Sequence, residues 1–220
     1  MNDHHLSDGS ARLDLDRARR TDIPEAVYCA GKTTEQSVAI VGRLLSAGTD
    51  AVLATRTTPE QRDALHALAE PTAAGGTSLL WCPRPDSGRS VAVVSAGTSD
   101  LAVAEECRLT LRAFGHRTEL VTDVGVAGLH RLTSALAEIE PHEAIVAIAG
   151  MEGALPTVLA GLVRQPIVAV PTSVGYGTSF EGVTALLSMM SSCSPGVSVV
   201  GIDNGYGAAC AVHRILGTSA

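Results

Sequence analysis

From residue 89 onward the chain alternates two kinds of stretch. Short strand signals occupy residues 91–95, 117–122, 143–148, 167–170 and 197–202, all but the second mostly apolar. Between them lie stretches whose apolar residues recur at helical spacing, beginning near Asp100, Val126, Leu155, Ser179 and Tyr206. Strands alternating with helices of about 10–15 residues predict βαβ units and a parallel sheet buried on both faces. Upstream the pattern is weaker. Helical spacing over residues 35–46 follows Thr33 and Thr34, either of which suits a helix N-cap. A buried strand is expected at 51–55, a proline-started helix at 59–69, a turn at 71–76 and another strand at 77–82. Pro83-Arg84-Pro85-Asp86-Ser87-Gly88 reads as a linker. The expected organisation is a polar tail over 1–12, a small N-terminal α/β unit over 13–83, a linker over 84–88 and a larger α/β domain over 89–220. The charged segment 13–20 reads either as a short helix or as an arm lying on the body.

Composition agrees with that architecture. Apolar residues make up 45% of the 220 positions but aromatics only 3%, so the core consists mainly of Val, Ala, Leu and Ile. That is enough chain to bury a sizeable core. The net charge of −7 argues against a nucleic-acid partner, which favours a basic face. It leaves room for a small anion held by backbone amides at helix starts. No apolar run reaches the ~18–20 residues of a membrane span, and the polar start is unlike a signal peptide. The expected location is the cytoplasm. Five scattered cysteines without a CxxC spacing read as reduced thiols.

In parallel sheets ligands sit beyond the carboxyl ends of the strands, and the unusual residues of this chain collect there. The loop 95–100 opens a helix with Gly97, Thr98, Ser99 and Asp100, small and hydroxylic residues suited to an anion. A plain helix cap explains the same residues equally well. Asp123 and Gly125 begin a second glycine-rich turn, and His130 and Arg131 are expected one turn into the following helix, near the loop mouth. Glu152 lies in an apolar, glycine-lined turn where a carboxyl with a raised pKa serves as general acid or base. A solvated turn carboxylate is the simpler reading of that loop alone. Ser173 and Gly175 belong to a turn that fits neither a nucleophile elbow, because position 171 is Pro, nor a dinucleotide fingerprint, because position 180 is Phe. Gly31-Lys32-Thr33 resembles the end of a phosphate-binding loop, but Ala26 stands where its first glycine belongs, which excludes it. Asp203 and Asn204 open the last turn. Cys107 and Cys210 read as small buried hydrophobes, whereas Cys193 sits among serines before Pro195-Gly196. It follows a helix, whose dipole opposes a thiolate, so another group must activate it.

Taken together, these loops resemble one family. The segments AGTSDLAVAEE, DVGVAGLHRL, AGMEGALPTVLAGLV, PTSVGYGTSFEG, SSCSPGV and IDNGYGAA, with Arg17/Arg20, Pro24-Glu25, GKTTEQ and ATR upstream, resemble the LarB family. Its members are pyridinium-3,5-biscarboxylic acid mononucleotide synthases of nickel-pincer nucleotide biosynthesis, related to the aminoimidazole ribonucleotide carboxylases and mutases. The resemblance runs from about residue 13 to 215. It implies a three-layer, flavodoxin-like catalytic domain and nicotinic acid adenine dinucleotide as substrate. It also implies two reactions: carboxylation of pyridinium C5 from CO2 or bicarbonate, and hydrolysis of the phosphoanhydride with release of AMP. By the same resemblance Cys193 is the nucleophile and Glu152 the base. Gly97, Thr98, Ser99, Asp100, Asp123, Gly125, His130, Arg131, Ser173, Gly175, Asp203 and Asn204 fall in the substrate-binding turns. Mg2+ is expected to assist the hydrolysis, held partly by substrate phosphates. A homo-oligomer, such as an octamer, is expected from the kinship and from the small-residue helices.

The chain departs from the family pattern at Ser191, Gly201 and Asp22, none of which removes the thiol or the carboxylate. Two rivals remain. The purine-pathway enzymes carry a histidine in the turn where this chain has Ala154, and they lack the N-terminal unit. A non-enzymatic nucleotide-binding module would keep the phosphate turns and have no use for Cys193 or Glu152.

Overall fold

A computed structural model describes residues 11–217 of the chain; most of the expected polar tail lies outside them. The larger part of the molecule is a five-stranded sheet in the order β6-β5-β7-β8-β9, every neighbouring pair parallel. Its strands are β5 (Ser90–Ser95), β6 (Arg117–Val121), β7 (Ala144–Ala149), β8 (Ile167–Pro171) and β9 (Val197–Val199). The intervening helices are α4 (Leu101–Ala113), α5 (Leu129–Ile139), α6 (Leu155–Ala160) and α7 (Val183–Met190), and α8 (Gly205–Leu216) closes the chain. This is the flavodoxin-like order, with the chain reversing direction across the sheet at β5/β7. The expected last strand stops early, at Val199, and the helices expected at Val126 and Ser179 are preceded by a 3-10 turn over Val126–Gly128 and by a kinked 3-10 segment over Gly177–Gly182.

The apolar runs are two-sided, as a buried parallel strand requires. On β7, Ala144, Val146 and Ile148 enter one core while Ile145, Ala147 and Ala149 enter the other. β5 splits the same way, with Val91 and Val93 on one face and Ala92 and Val94 on the opposite one. Helices α4 and α8 cover the first face; α5, α6 and Met189 of α7 cover the second.

The N-terminal part forms a four-stranded sheet, β1-β2-β4-β3. Its strands are β1 (Ala26–Tyr28), β2 (Val52–Thr55), β3 (Ala73–Gly75) and β4 (Ser78–Trp81). β1 runs parallel to β2, whereas β4 is antiparallel to both β2 and β3. Before it lies the short helix α1 (Arg17–Thr21), and α2 (Thr34–Ser46) and α3 (Pro59–Leu68) pack on one side. Thr33 caps α2 and Thr58 caps α3, each in a reciprocal capping box with the glutamine three residues on, Gln36 and Gln61. Two elements escape the sequence pattern. β1 is three residues long and follows a proline, and β3 occupies the stretch expected to be a turn; both are too short for a period-2 signal.

The N-terminal sheet is built into the body. Val52, Ala54, Leu79 and Trp81 face a core shared with α2 and α3, but the alternate residues Leu53 and Leu80 join the core of α4, β5 and β7. Helix α4 is thus enclosed between the two sheets. Segment 84–88 is correspondingly fixed: the Arg84 amide donates to Ala113, its guanidinium reaches Asp22 and Asp50, and the Ser87 amide donates to Gly115.

Candidate active site

At the carboxyl edge of the five-stranded sheet the loops are tied to one another by main-chain bonds. Ala96 donates to Ile148, Val124 to Ser95, Met151 to Val174, Thr172 to Ala149 and Asp203 to Pro171. Three non-glycine residues just past strand ends take left-handed backbone conformations: Asp123 (φ 58), Met151 (φ 52) and Asp203 (φ 56). Aspartate tolerates that region and methionine does not, so Met151 marks local strain of the kind found at functional sites. Gly150 is required there because a Cβ would meet the Val174 carbonyl and the Thr172 hydroxyl. Gly153, at φ 63, lies against the backbone of Ala185 in α7.

These loops enclose a cleft of about 330 Å³. Gly97, Thr98, Ser99, Asp100, Asp123, Gly125, Arg131 and Glu152 line it, with Ala154 and Val174 at its floor and side. The start of α4 opens toward it, so main-chain N–H groups and the Thr98 and Ser99 hydroxyls face the space where an anion would lie. Arg131 and Asp123 form an ion pair at 2.6 Å across its rim. The two residues therefore hold each other, leaving part of the guanidinium to meet a phosphate.

Asp100 behaves differently from the expectation. It is only 2% exposed. One carboxylate oxygen accepts from the Thr172 hydroxyl at 2.7 Å and the other from the Gly97 amide at 2.9 Å. Burial pushes its carboxyl up, against the lowering effect of those two donors. Its carboxylate joins two cleft loops, and each oxygen keeps a second lone pair toward the cleft that Asp100 lines. Asn204 is similarly occupied: its side-chain oxygen accepts from Gly207 and caps α8. Asp203 accepts from the Ser173 amide at 2.8 Å and so fixes the β8–α7 loop. Ser173 lines a side groove beside the cleft, and Gly175 packs between Ser179 and the cleft-lining Met151. His130 is exposed and outside the cleft lining, because α5 starts at Leu129 rather than Val126 and turns it outward.

Cys193 is exposed, three residues beyond α7 and outside the cleft lining. Its loop is nonetheless fastened to the cleft wall. The Thr157 hydroxyl donates to Ser192 at 2.8 Å, and the Ser194 hydroxyl donates to the Thr157 carbonyl at 2.9 Å. Thr157 lies in the first turn of α6, the helix that the Glu152 turn introduces. Glu152 is itself exposed at the cleft mouth. The thiol loop and the carboxylate turn therefore share one short helix as their mount.

Sequence reasoning missed Arg56. It follows β2 in a left-handed conformation (φ 55), yet its side chain reaches the loop before α8 on the other sheet. Its Nε donates to Glu106 at 3.1 Å, its Nη2 donates to the Asp203 carbonyl at 2.5 Å, and the guanidinium lies 5.5 Å from the Tyr28 ring centroid. The Ala-Thr-Arg triplet was visible, but nothing local to it reports a partner on the other sheet. Among the described residues no group of three or more His, Cys, Asp or Glu is placed to hold a metal. The carboxylates nearest the cleft are each committed to a protein partner or stand alone, so they do not build a protein-held metal site. A larger hollow of about 910 Å³ lies beside α1, but it is lined chiefly by charged residues, among them the pairs Arg19–Asp16 and Arg84–Asp22. No described helix is long and apolar enough to cross a membrane.

Residues 90–220 match the family model described as AIR carboxylase, and residues 5–74 match the LarB/PurE-like N-terminal domain. An uncharacterized protein of Methanocaldococcus jannaschii is 37% identical over 209 residues, covering 90% of this chain and 80% of its own length. The N5-carboxyaminoimidazole ribonucleotide mutase of the same organism is 35% identical over 131 residues, 57% of this chain and 78% of that one. The enzyme of that name from Pyrococcus horikoshii is 33% identical over 135 residues, 58% of this chain and 72% of its own. These matches support a carboxylase- or mutase-type function.

Proposed function

Because the chain belongs to the AIR carboxylase family and carries a LarB/PurE-like N-terminal domain, we propose that it carboxylates C5 of the pyridinium ring of nicotinic acid adenine dinucleotide and hydrolyses the phosphoanhydride, releasing AMP. The product is pyridinium-3,5-biscarboxylic acid mononucleotide, a precursor for a nickel-pincer cofactor. The observation that carries this reading is the mounting of the Cys193 loop and the Glu152 turn on the first turn of α6, beside a cleft lined by helix-start amides and hydroxyls.

The chemistry needs both groups. A pyridinium ring is electron-poor, so its C5 does not attack CO2. Addition of the Cys193 thiolate to a ring carbon forms a C–S bond and converts the ring to an enamine, in which C5 is nucleophilic. C5 then bonds to CO2. Glu152 removes the proton from C5, the electron pair re-forms the aromatic ring, and the C–S bond breaks to return the thiolate. The cationic ring supplies the charge that favours the thiolate, which the end of α7 does not. The phosphates fit the Thr98–Ser99 helix start and the Arg131 rim. Mg2+ enters this scheme through the phosphates of the substrate, as is usual for an ion that keeps most of its own water.

Ala154 argues in the same direction, since the purine-pathway relatives place a histidine at that point of the turn. The purified protein, incubated with nicotinic acid adenine dinucleotide, bicarbonate and Mg2+, should release AMP and give a pyridine mononucleotide heavier by one carboxyl group, read by mass spectrometry. Neither product, together with turnover of N5-carboxyaminoimidazole ribonucleotide, would assign the mutase reaction instead.

A further inference from the structure

Beside the cleft a second groove of about 260 Å³ runs toward the N-terminal sheet. It shares Ser99 and Val174 with the cleft, so the two lie side by side, and Arg56, Thr77 and Ala102 also line it. A dinucleotide has about twice the bulk of a mononucleotide, and ligand sites run from roughly 300 Å³ upward. The cleft alone suits one nucleotide, and the groove extends it at the helix-start end, where the phosphates lie in the proposed pose.

Arg56 is built into this groove from the opposite sheet. Its left-handed backbone is unfavourable for a long side chain. It is retained where three contacts hold the side chain: buried Glu106, the Tyr28 ring and the Asp203 carbonyl. Glu106 in turn accepts from the Tyr206 amide at the start of α8. A guanidinium carries five N–H donors, and Glu106 and Asp203 take one each. The side chain remains 35% exposed, so an oriented, permanently charged fork faces the groove.

We propose that the Arg56 groove is the subsite for the second nucleotide half of a dinucleotide substrate, with Arg56 its recognition residue, so that the N-terminal sheet selects dinucleotide over mononucleotide. The proposal rests on the pyridine dinucleotide reading above and deepens it. It explains why the chain carries an N-terminal sheet fused to a cleft that by itself accommodates a mononucleotide.

Binding of nicotinic acid adenine dinucleotide and of nicotinic acid mononucleotide, measured by calorimetry on the full chain, tests it. Wild type should prefer the dinucleotide by at least about tenfold, the worth of one or two charge-assisted contacts. Arg56→Gln should erase most of that ratio. Ala102→Phe, which fills the groove and removes no hydrogen bond, should erase it as well and keeps the test valid if the arginine variant fails to fold. A preference that survives in a folded variant of either kind, or a wild type that binds both ligands equally, overturns the subsite and leaves the proposed reaction standing. A wild type that binds neither overturns both.

Discussion

His116 and His213 meet ring to ring in the interior, with Nε2 of the first 2.9 Å from Nδ1 of the second. One proton position follows from the Asp22 end of the chain. Asp22, 3.0 Å from Nε2 of His213, accepts only, so that nitrogen carries the hydrogen. Nδ1 of His213 faces Nε2 of His116, whose own Nδ1 lies 3.1 Å from the Ser87 hydroxyl. The two imidazoles thus join the 84–88 segment, the end of α4, the last helix and the turn after α1. Arg84 donates to the same Asp22 carboxylate and secures its far side.

Acid acts on this chain through His116. Burial, then the neighbouring His213, pushes the His116 pKa down to about 4 from an ordinary 6.5. The unfolded chain therefore binds more protons than the folded one between those values, and stability falls as pH drops through that window. The contribution reaches up to about 3 kcal/mol. His142, also lowered by burial, acts in the same direction. Urea midpoints should decline from pH 7 to pH 4.5, and His116→Leu should flatten that decline while lowering the midpoint at neutral pH. A wild-type midpoint constant across the window would exclude the effect.

Gly205 opens α8 against α4, where an added Cβ would strike the Val103 carbonyl and crowd Cys107. Helix propensity alone favours alanine over glycine by about 1 kcal/mol. Overpacking against a backbone atom costs about 1–3 kcal/mol, so the clash wins. Gly205→Ala should lower the thermal midpoint; a rise would show that α8 can shift freely.

Asp100→Asn keeps one acceptor but turns an amide toward the Gly97 N–H or the Thr172 hydroxyl. One buried donor loses its partner, at a cost of about 1–3 kcal/mol. Because the two bonds join the 97 and 172 loops, the expected result is a raised KM along with lower stability. Substrate saturation curves beside a denaturation series separate the two effects.

Cys193→Ala should abolish carboxylation while leaving dinucleotide binding within a few-fold of wild type. Glu152→Gln should slow turnover by about 10²–10⁴ and let an adduct build up on Cys193, visible as a mass increase on the intact protein. Full carboxylation by the alanine variant would make the thiol structural.

The stretch from Tyr176 to Met190 exposes Tyr176, Phe180, Val183, Leu187 and Met190, with Tyr176 82% exposed. A homo-oligomer would bury an apolar surface of this kind at its interface. Leu187→Glu should shift the protein to a smaller species in light scattering; an unchanged mass would move the interface elsewhere.

The alternation of strand and helix, the parallel sheet it implies and the gathering of Gly97, Thr98, Ser99, Gly125 and Glu152 at its carboxyl edge were all readable from residue order. Two-faced apolar runs separated by amphipathic stretches have few packing solutions, and a strand's end fixes where its loop emerges. Tertiary structure decided the rest. Asp100 turns inward because Thr172 and Gly97 meet it there, and Asn204 is spent on a cap. His130 swings out because α5 starts three residues late. Leu53 and Leu80 carry the N-terminal sheet into the main core, where a sequence pattern can report that a face is apolar but never which face it meets. Arg56 depends on a left-handed backbone and on Asp203, 147 residues away. Local pattern encodes period and polarity; it holds no record of which distant carbonyl a side chain will reach.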